Sequence, residues 1–306
     1  MFFFYVRSTA GATLIGLFAP VTWGASVSLI RTIAENFGIA QGQFFLYIVA
    51  TISLILMVGY PDFSKVPWKY KTIGVVVANL STICFCLSLN YSDGGTQTME
   101  VGMVNYLWPT ITIVFSILFN GQKAQWWIVP GAVLSFIGIF WILSGGNPDL
   151  HAFYEHFLIN PISYILAFGS ALTWSAFSSM TRAWSKGQNL STFIFTIDVM
   201  IFGAFWAFGV GGSPEITMKG VLSVIIGGCV MGAAYAAWTH GMIYGNITML
   251  AIASYFTPVL SCLFASLLIG AELTLPFWQG VAMVVCGSII CWHATWYRKK
   301  TKIAHE

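Results

Sequence analysis

The sequence of 306 residues contains very little charge. Aspartate, glutamate, lysine and arginine together make up 8% of it, whereas hydrophobic residues make up 58% and the mean hydropathy is +0.80. A soluble domain carries about 25% charged residues. So few charges cannot cover a surface in water, and a soluble globular protein is therefore excluded.

The motifs of common catalytic and metal sites are also missing. The six cysteines lie within apolar segments and form no Cys-x-x-Cys pair, which argues against a zinc site or a disulfide framework. The sequence has no phosphate-binding Gly-x-x-x-x-Gly-Lys-Ser/Thr loop, no His-Glu-x-x-His pair and no nucleophile elbow. We therefore expect no enzyme activity, no direct use of ATP, no cofactor or metal, and no nucleic-acid partner.

Long apolar segments occupy most of the chain instead. A helix needs roughly 20 apolar residues to cross a hydrocarbon core of about 30 Å. Such segments are predicted at about 8–30, 42–60, 72–92, 95–120, 124–146, 160–181, 190–211, 220–240, 246–270 and 276–297. The predicted fold is therefore an all-α integral membrane protein with ten transmembrane helices.

The positions of the basic residues predict the orientation of these helices. With the N-terminus in the cytoplasm, only Arg31 and Lys219 of the 13 lysines and arginines fall on the outer side. Cytoplasmic segments of membrane proteins carry an excess of Lys and Arg. We therefore predict that both termini are cytoplasmic.

A repeat at half the chain length divides the predicted helices into two sets of five. Five residues of helix one, Thr22, Trp23, Ala25, Ser28 and Arg31, recur with the same spacing as Thr173, Trp174, Ala176, Ser179 and Arg182. Because five is odd, the second set runs through the membrane in the opposite direction. We predict two inverted five-helix repeats, 1–146 and 160–306, joined by a periplasmic loop at 147–159, and the second repeat ends in a cytoplasmic tail. Inverted repeats are typical of secondary transporters.

Three local patterns resemble the drug/metabolite transporter superfamily, and within it the ten-helix transporters of the EamA type. They are Trp23-Gly24-Ala25 with Trp174-Ser175-Ala176 in helices one and six, Pro109 with Pro258 in helices four and nine, and Gly270-Ala271-Glu272-Leu273 after helix nine. The first half departs from the last pattern, because it has Gly121-Gln122-Lys123 and no glutamate.

The aromatic-rich sequence Asn105-Tyr106-Leu107-Trp108-Pro109 resembles the members of this family that export aromatic amino acids. The resemblance implies export of phenylalanine, tyrosine or tryptophan by alternating access from the inner membrane of a bacterium. It also implies a small-molecule substrate and contact with membrane lipid, and we expect the monomer to be the functional unit.

Polar-tipped aromatic residues near mid-depth are the candidates for a substrate site. Trp and Tyr at helix ends act as interfacial anchors, but a buried ring at mid-depth needs a partner for its N–H or O–H. We predict a central cavity between the halves, although ordinary helix packing is the alternative for each ring. The predicted substrate-binding residues are Trp23, Asn90, Tyr91, Met99, Met103, Tyr106, Trp108, Trp174, Trp238, His240 and Tyr255.

Two carboxylates within the spans are candidates for proton coupling. A charged side chain in the bilayer is costly and marks a functional site by default, which points to Glu100 and Asp198. The alternatives are that Asp198 is protonated and bonded to a neighbouring helix, and that Glu100 reaches the outer surface.

Prolines and glycines at matched positions in the two halves predict where helices bend and where they pack closely. Proline removes a backbone hydrogen bond, so Pro109 and Pro258 predict either a pair of hinges or ordinary kinks. Small residues allow close helix contact, and we assign packing roles to Gly131, Gly138, Gly280 and Gly287.

A proton-coupled exporter of flat organic cations or other small metabolites is the alternative function. Small multidrug relatives have an essential glutamate in helix one, whereas residues 8–30 contain no carboxylate. Glu100 and Asp198 keep this alternative open.

Overall fold

Helices account for all regular secondary structure in the residues that the structure describes. The computed structural model describes residues 6–209, 216–260, 263–264 and 273–303, with backbone alone at 25–32, 34–35, 94–96, 98–99 and 295–303. Five helices in these ranges are long and apolar enough to cross a membrane: Ile39–Val58, Tyr70–Asn90, Glu100–Phe119, Met218–Tyr244 and Leu275–Ala294. A sixth is added if Leu150–Ile159 and Pro161–Trp184 form one bent span. The chain is therefore a multi-pass helical membrane protein.

The helices of these described ranges are numbered in chain order. They are α1 (Thr9–Gly16), α2 (Phe18–Phe37), α3 (Ile39–Val58), α4 (Val75–Asn90, preceded by a π-helical turn at Tyr70–Gly74), α5 (Gly94–Asn105), α6 (Trp108–Phe119), α7 (Ile128–Leu143), α8 (Leu150–Ile159), α9 (Pro161–Trp184), α10 (Ser191–Ala207), α11 (Met218–Tyr244), α12 (Ile247–Ser254) and α13 (Leu275–Ile303). After a break at Tyr255 and Phe256, residues 257–260 are again helical.

These helices form two compact units. The first takes its described residues from Met1–Thr82 and Met180–Asn246, and the second from Ile83–Ser179 and Ile247–Glu306. Each unit therefore combines segments from both halves of the sequence. Two of the three boundaries between the units fall within α4 and α9, and the third falls between α11 and α12.

Close helix contact organises the first unit. Helix α3 packs against α10 and α11, and α2 packs along α11. A Cβ atom added at Gly228 would lie 3.0 Å from the Leu46 carbonyl oxygen, and one at Gly232 would lie 2.7 Å from that of Ala50. The two glycines therefore allow α11 to approach the backbone of α3.

The second unit has a similar glycine contact between α7 and α13. A Cβ atom at Gly131 would lie 2.9 Å from the Gly287 carbonyl oxygen, and one at Gly138 would lie 2.8 Å from that of Gly280. Because backbone atoms cannot move aside as side chains do, all four positions require glycine. The packing role predicted for these four residues is confirmed.

Three predicted spans are interrupted at prolines. Helices α1, α5 and α12 end at Gly16, Asn105 and Ser254, which are the fourth residues before Pro20, Pro109 and Pro258. A proline has no N–H for the carbonyl of residue i−4, and its ring clashes with that carbonyl. Predicted spans one, four and nine therefore contain breaks that a continuous helix would not have.

The connection at 147–159, predicted as a loop, contains helix α8. Asp149 caps its N-terminus, because the Oδ1 atom accepts hydrogen bonds from His151 N at 3.0 Å and Ala152 N at 2.9 Å. The helix stops before Pro161, since a residue that precedes proline disfavours the helical conformation. The chain then turns by 101° into α9.

Candidate functional site

The first unit contains a ring cluster formed by Trp23, Tyr235 and Trp238. Trp23 on α2 lies 5.2 Å from Trp238 and 5.4 Å from Tyr235, measured between ring centroids, and both partners are on α11. Trp238 is fully buried. His240 lies farther along α11, where its Nε2 atom is 2.8 Å from the Val6 carbonyl oxygen. The structure therefore ties His240 to the N-terminal segment.

Asp198 lies in the same unit and is fully buried on α10. Its Oδ1 atom accepts a hydrogen bond from Asn79 Nδ2 at 2.9 Å, and the same amide donates to the Ile194 carbonyl at 3.1 Å. Within the described part of the chain, Asp198 Oδ2 and Asn79 Oδ1 have no hydrogen-bond partner. The pair therefore contains two buried acceptors and lacks a donor for them.

The second unit contains another ring cluster, formed by Trp108, Trp174 and Phe177. Trp108 on α6 and Trp174 on α9 meet edge to face, with ring centroids 6.4 Å apart, and Phe177 lies 5.9 Å from Trp174. Ser175 Oγ donates to the Trp108 carbonyl at 2.8 Å. This bond joins α9 to α6 directly beside Pro109.

Two of the three predicted tyrosines of this unit lie at the proline-linked breaks. Tyr106 follows α5 and Tyr255 follows α12, and both pack in one apolar cluster. The Tyr255 hydroxyl lies 2.7 Å from Thr110 Oγ1. The breaks before Pro109 and Pro258 are therefore in contact through their neighbouring residues.

Glu100 is buried on α5 and holds two helices that follow it in the chain. Tyr164 of α9 donates its hydroxyl hydrogen to the carboxylate, and Nδ1 of His156 on α8 lies 3.1 Å from both carboxylate oxygens. The residue is only 8% exposed. Its partners were not predicted, because no short motif links residues on three different helices.

A cavity of about 360 Å³ opens beside Glu100, and we call it the Glu100 cavity. Helices α5, α7 and α8 and the segment 144–149 surround it. Its lining includes Glu100, Met103, Phe140, Leu143, Asp149 and Phe153. Two predicted residues of different roles, Met103 and Glu100, therefore meet in one cavity.

The remaining predicted residues are placed elsewhere or lie outside the description. Asn90 and Tyr91 are at the C-terminal end of α4, where Tyr91 is half exposed and its carbonyl accepts from Asn160 Nδ2 at 2.6 Å. The Met99 side chain lies outside the described residues, as does the Gly270–Glu272 part of the turn pattern.

Asn79 and Tyr235 are additional candidates that the sequence analysis did not select. Asn79 follows the apolar run Val75-Val76-Val77-Ala78 within a predicted span. A single amide in such a span is the sequence feature from which a buried polar site could have been predicted. Tyr235 carried no such signal, because its importance depends on its contact with Trp23.

Comparison with known proteins gives consistent matches along the chain. The model of the EamA-like transporter family matches residues 10–144 and 161–292. Two relatives are each named "Aromatic amino acid exporter YddG". The Escherichia coli protein is 42% identical over 292 residues, which are 93% of this chain and 97% of its own, and the Salmonella typhimurium protein is 40% identical over 290 residues with the same shares.

A solved structure extends the match to the fold. It is 21% identical in sequence, covers 94% of this chain and 98% of its own, and has a TM-score of 0.77. The likeness therefore concerns the fold over most of the chain.

Proposed function

This chain belongs to the EamA-like transporter family, and we propose that it exports the aromatic amino acids phenylalanine, tyrosine and tryptophan. The observation that carries the proposal is the 42% identity, over 93% of the chain, to a relative named as an aromatic amino acid exporter. Transport takes place by alternating access in the inner membrane of a bacterium, and the bacterial origin of both full-length relatives supports this location.

The proposed topology has ten transmembrane helices in two inverted repeats, with both termini in the cytoplasm. The separate family matches to 10–144 and 161–292 support a repeat in the sequence. The matching helix ends before Pro109 and Pro258 support a shared structural device in the two halves. These breaks are the proposed hinges, since interrupted helices near the membrane midplane form the sites of many transporters.

The proposed substrate contacts are the two ring clusters. An aromatic amino acid presents a flat ring, and ring–ring contacts contribute about 0.5–1.5 kcal/mol beyond surface burial. Trp23 and Trp174 are each partly buried, and each lies in one of these clusters. Tyr106, Tyr255 and the helix breaks beside them supply hydroxyl and backbone groups for a zwitterion.

The test is uptake by proteoliposomes that contain the purified protein. Labelled phenylalanine, labelled tryptophan and a viologen-type cation are compared with and without a pH gradient, and empty liposomes provide the control. We expect saturable movement of both amino acids without a gradient. Preference for the cation together with dependence on the gradient would contradict the proposal.

Export of organic cations by proton exchange is the second candidate function. The observation that favours it is the buried Asp198–Asn79 pair, which within the described ranges lacks a hydrogen-bond donor for two of its oxygens and therefore offers a place for the exchanged proton. A proton on Asp198 would turn one of the two unpaired acceptors into a donor. A buried polar group without its hydrogen bond costs about 1–3 kcal/mol. We propose that Asp198 holds a proton in the membrane and contributes to coupling where transport is coupled, rather than contacting the amino acid.

A further inference from the structure

We propose that the Glu100 cavity binds amines that carry an apolar or aromatic body, as a site separate from the two ring clusters. All of its lining residues belong to the second unit. Its volume of about 360 Å³ lies within the range of about 300–1,000 Å³ that is usual for small-molecule sites. That an exported amino acid occupies it rests on the proposed function, whereas its preference for amines follows from its lining alone.

The acidic side chains of the cavity select for an ammonium group. Glu100 contributes a carboxylate to the wall, and this carboxylate offers about four lone-pair positions, of which Tyr164 and His156 use a part. Asp149 adds a second carboxylate, and the His151 and Ala152 amides bond only to its Oδ1 atom. An ammonium group brings three N–H donors and a positive charge, and hydrogen bonds of this charged kind are about twice as strong as neutral ones.

The apolar side chains of the cavity accommodate the remainder of such a ligand. Met103, Phe140, Leu143 and Phe153 line the same space. Aromatic rings pair favourably with one another, and a methionine adapts its shape to them. A carboxylate in place of the ammonium group would face Glu100 and Asp149 as a like charge, so the cavity discriminates by the charged end of the ligand.

The experiment measures equilibrium binding of labelled phenethylamine and of labelled 3-phenylpropanoate to the purified full-length protein in detergent. The two probes share a phenyl ring and differ in charge. We expect saturable binding of phenethylamine and at least tenfold weaker binding of 3-phenylpropanoate. Glu100→Gln keeps an acceptor for Tyr164 but removes the charge, and should weaken amine binding about tenfold or more because a charged hydrogen bond is lost.

A second variant keeps the hydrogen bonds of Glu100 intact. Ala152→Trp introduces a large ring at a lining position on α8 and should abolish amine binding, whereas Tyr154→Trp, at an exposed position on the same helix, should leave it unchanged. If Ala152→Trp binds phenethylamine as the unmodified protein does, or if the two probes bind equally, the inference is wrong. Gel filtration and thermal unfolding show which variants are folded.

Transport of phenylalanine by the unmodified protein in liposomes separates this inference from the proposed function. Movement of phenylalanine combined with amine binding that ignores Ala152→Trp refutes the cavity site and retains the exporter. Amine binding that responds to both variants, without movement of phenylalanine, retains the cavity site and refutes the exporter.

Discussion

The two buried carboxylates differ in the residues that surround them. Glu100 receives a hydroxyl hydrogen from Tyr164 and lies beside the imidazole of His156. Asp198 has the Asn79 amide as the donor to one oxygen, and its other oxygen has no partner among the described residues. Glu100 therefore has polar partners on two other helices, whereas one oxygen of Asp198 lacks a donor in the described part of the chain.

Replacing Asp198 by asparagine tests the proposal that Asp198 does not contact the transported amino acid. Asp198→Asn retains the shape and most hydrogen-bonding capacity but cannot release a proton, so we expect downhill efflux of phenylalanine to stay within about twofold, a change of under 1 kcal/mol. Efflux from preloaded proteoliposomes measures it. Asn79→Leu is the matched control, since it removes the hydrogen bond and keeps the carboxyl group.

Complete loss of downhill flux in a folded Asp198→Asn protein would place Asp198 in the substrate site. The organic-cation function would then become the better explanation, because a fixed charge is needed to bind a cation.

The Trp108–Trp174 contact is the residue-scale test of the second ring cluster. Because ring–ring contacts contribute about 0.5–1.5 kcal/mol, Trp108→Ala and Trp174→Ala should each reduce phenylalanine transport by up to about tenfold. Trp68→Ala removes a tryptophan that is 63% exposed and should have no effect. Normal transport by both cluster variants, measured at equal protein amounts in the membrane, would assign these rings to packing alone.

At the scale of helices, prolines decide where the chain breaks and glycines decide where it packs closely. Both effects are local: proline lacks an N–H, and glycine lacks a Cβ atom. They are readable from the sequence for that reason. The breaks before Pro109 and Pro258 and the α7–α13 contact agree with such a reading.

Restoring the missing N–H groups tests the proposed hinges. Pro109→Ala and Pro258→Ala allow the carbonyls of Asn105 and Ser254 to bond within a continuous helix, so we expect slower efflux with little change in substrate affinity. Pro20→Ala is the control, because Pro20 ends α1 in the same manner but has no counterpart in the second half. Equal efflux rates in all three variants would make the breaks simple kinks.

Two glycine substitutions should have opposite effects on stability. Gly138→Ala places a Cβ atom 2.8 Å from the Gly280 carbonyl oxygen and 2.9 Å from Val284 N, and overpacking of this kind costs about 1–3 kcal/mol. Gly102→Ala meets no atom within 4 Å and should stabilise α5 by roughly 0.5–1 kcal/mol. Thermal unfolding in detergent measures both, and a Tm for Gly138→Ala at or above that of the unmodified protein would contradict the packing role.

At the scale of the whole molecule, the compact units cut across the halves of the sequence. Each unit takes one part of its helices from before residue 147 and another part from after residue 160. The predicted inverted repeat describes which parts of the sequence resemble each other and how they are oriented in the membrane. The compact units describe which helices are in contact with each other.

The proposed orientation is tested by labelling single cysteines in a cysteine-free background of intact cells. His151→Cys and Ser64→Cys both lie at exposed positions outside the long apolar helices. Ser64 lies in a loop that also contains the charged residues Asp62 and Lys65. Hydrogen bonds from Lys65 and Ser64 lower the pKa of Asp62 to about 2, so this carboxylate is charged at neutral pH. A membrane-impermeant maleimide should label position 151 directly and position 64 only after the cells are opened, and the opposite result would refute the orientation.

The sequence by itself determined the membrane class, the approximate helix positions, the interruptions at Pro109 and Pro258, and the packing role of Gly131, Gly138, Gly280 and Gly287. Each of these depends on the length of an apolar run or on the covalent structure of one residue type. Most helix ends agree within a few residues, and the family assigned from Trp23, Trp174, Pro109 and Pro258 is confirmed by the match over 10–144 and 161–292.

Only the tertiary structure decided which side chains meet. The partners of Asp198 and Glu100 lie 119 and 56 positions away in the chain, in Asn79 and His156. The Glu100 cavity depends on α8, which has only 10 residues and was therefore too short to be recognised as an apolar span. Asp149 caps its N-terminus, and Pro161 follows its C-terminal end. Contacts of this kind depend on which helices pack together, and apolar runs in the sequence do not encode that choice locally.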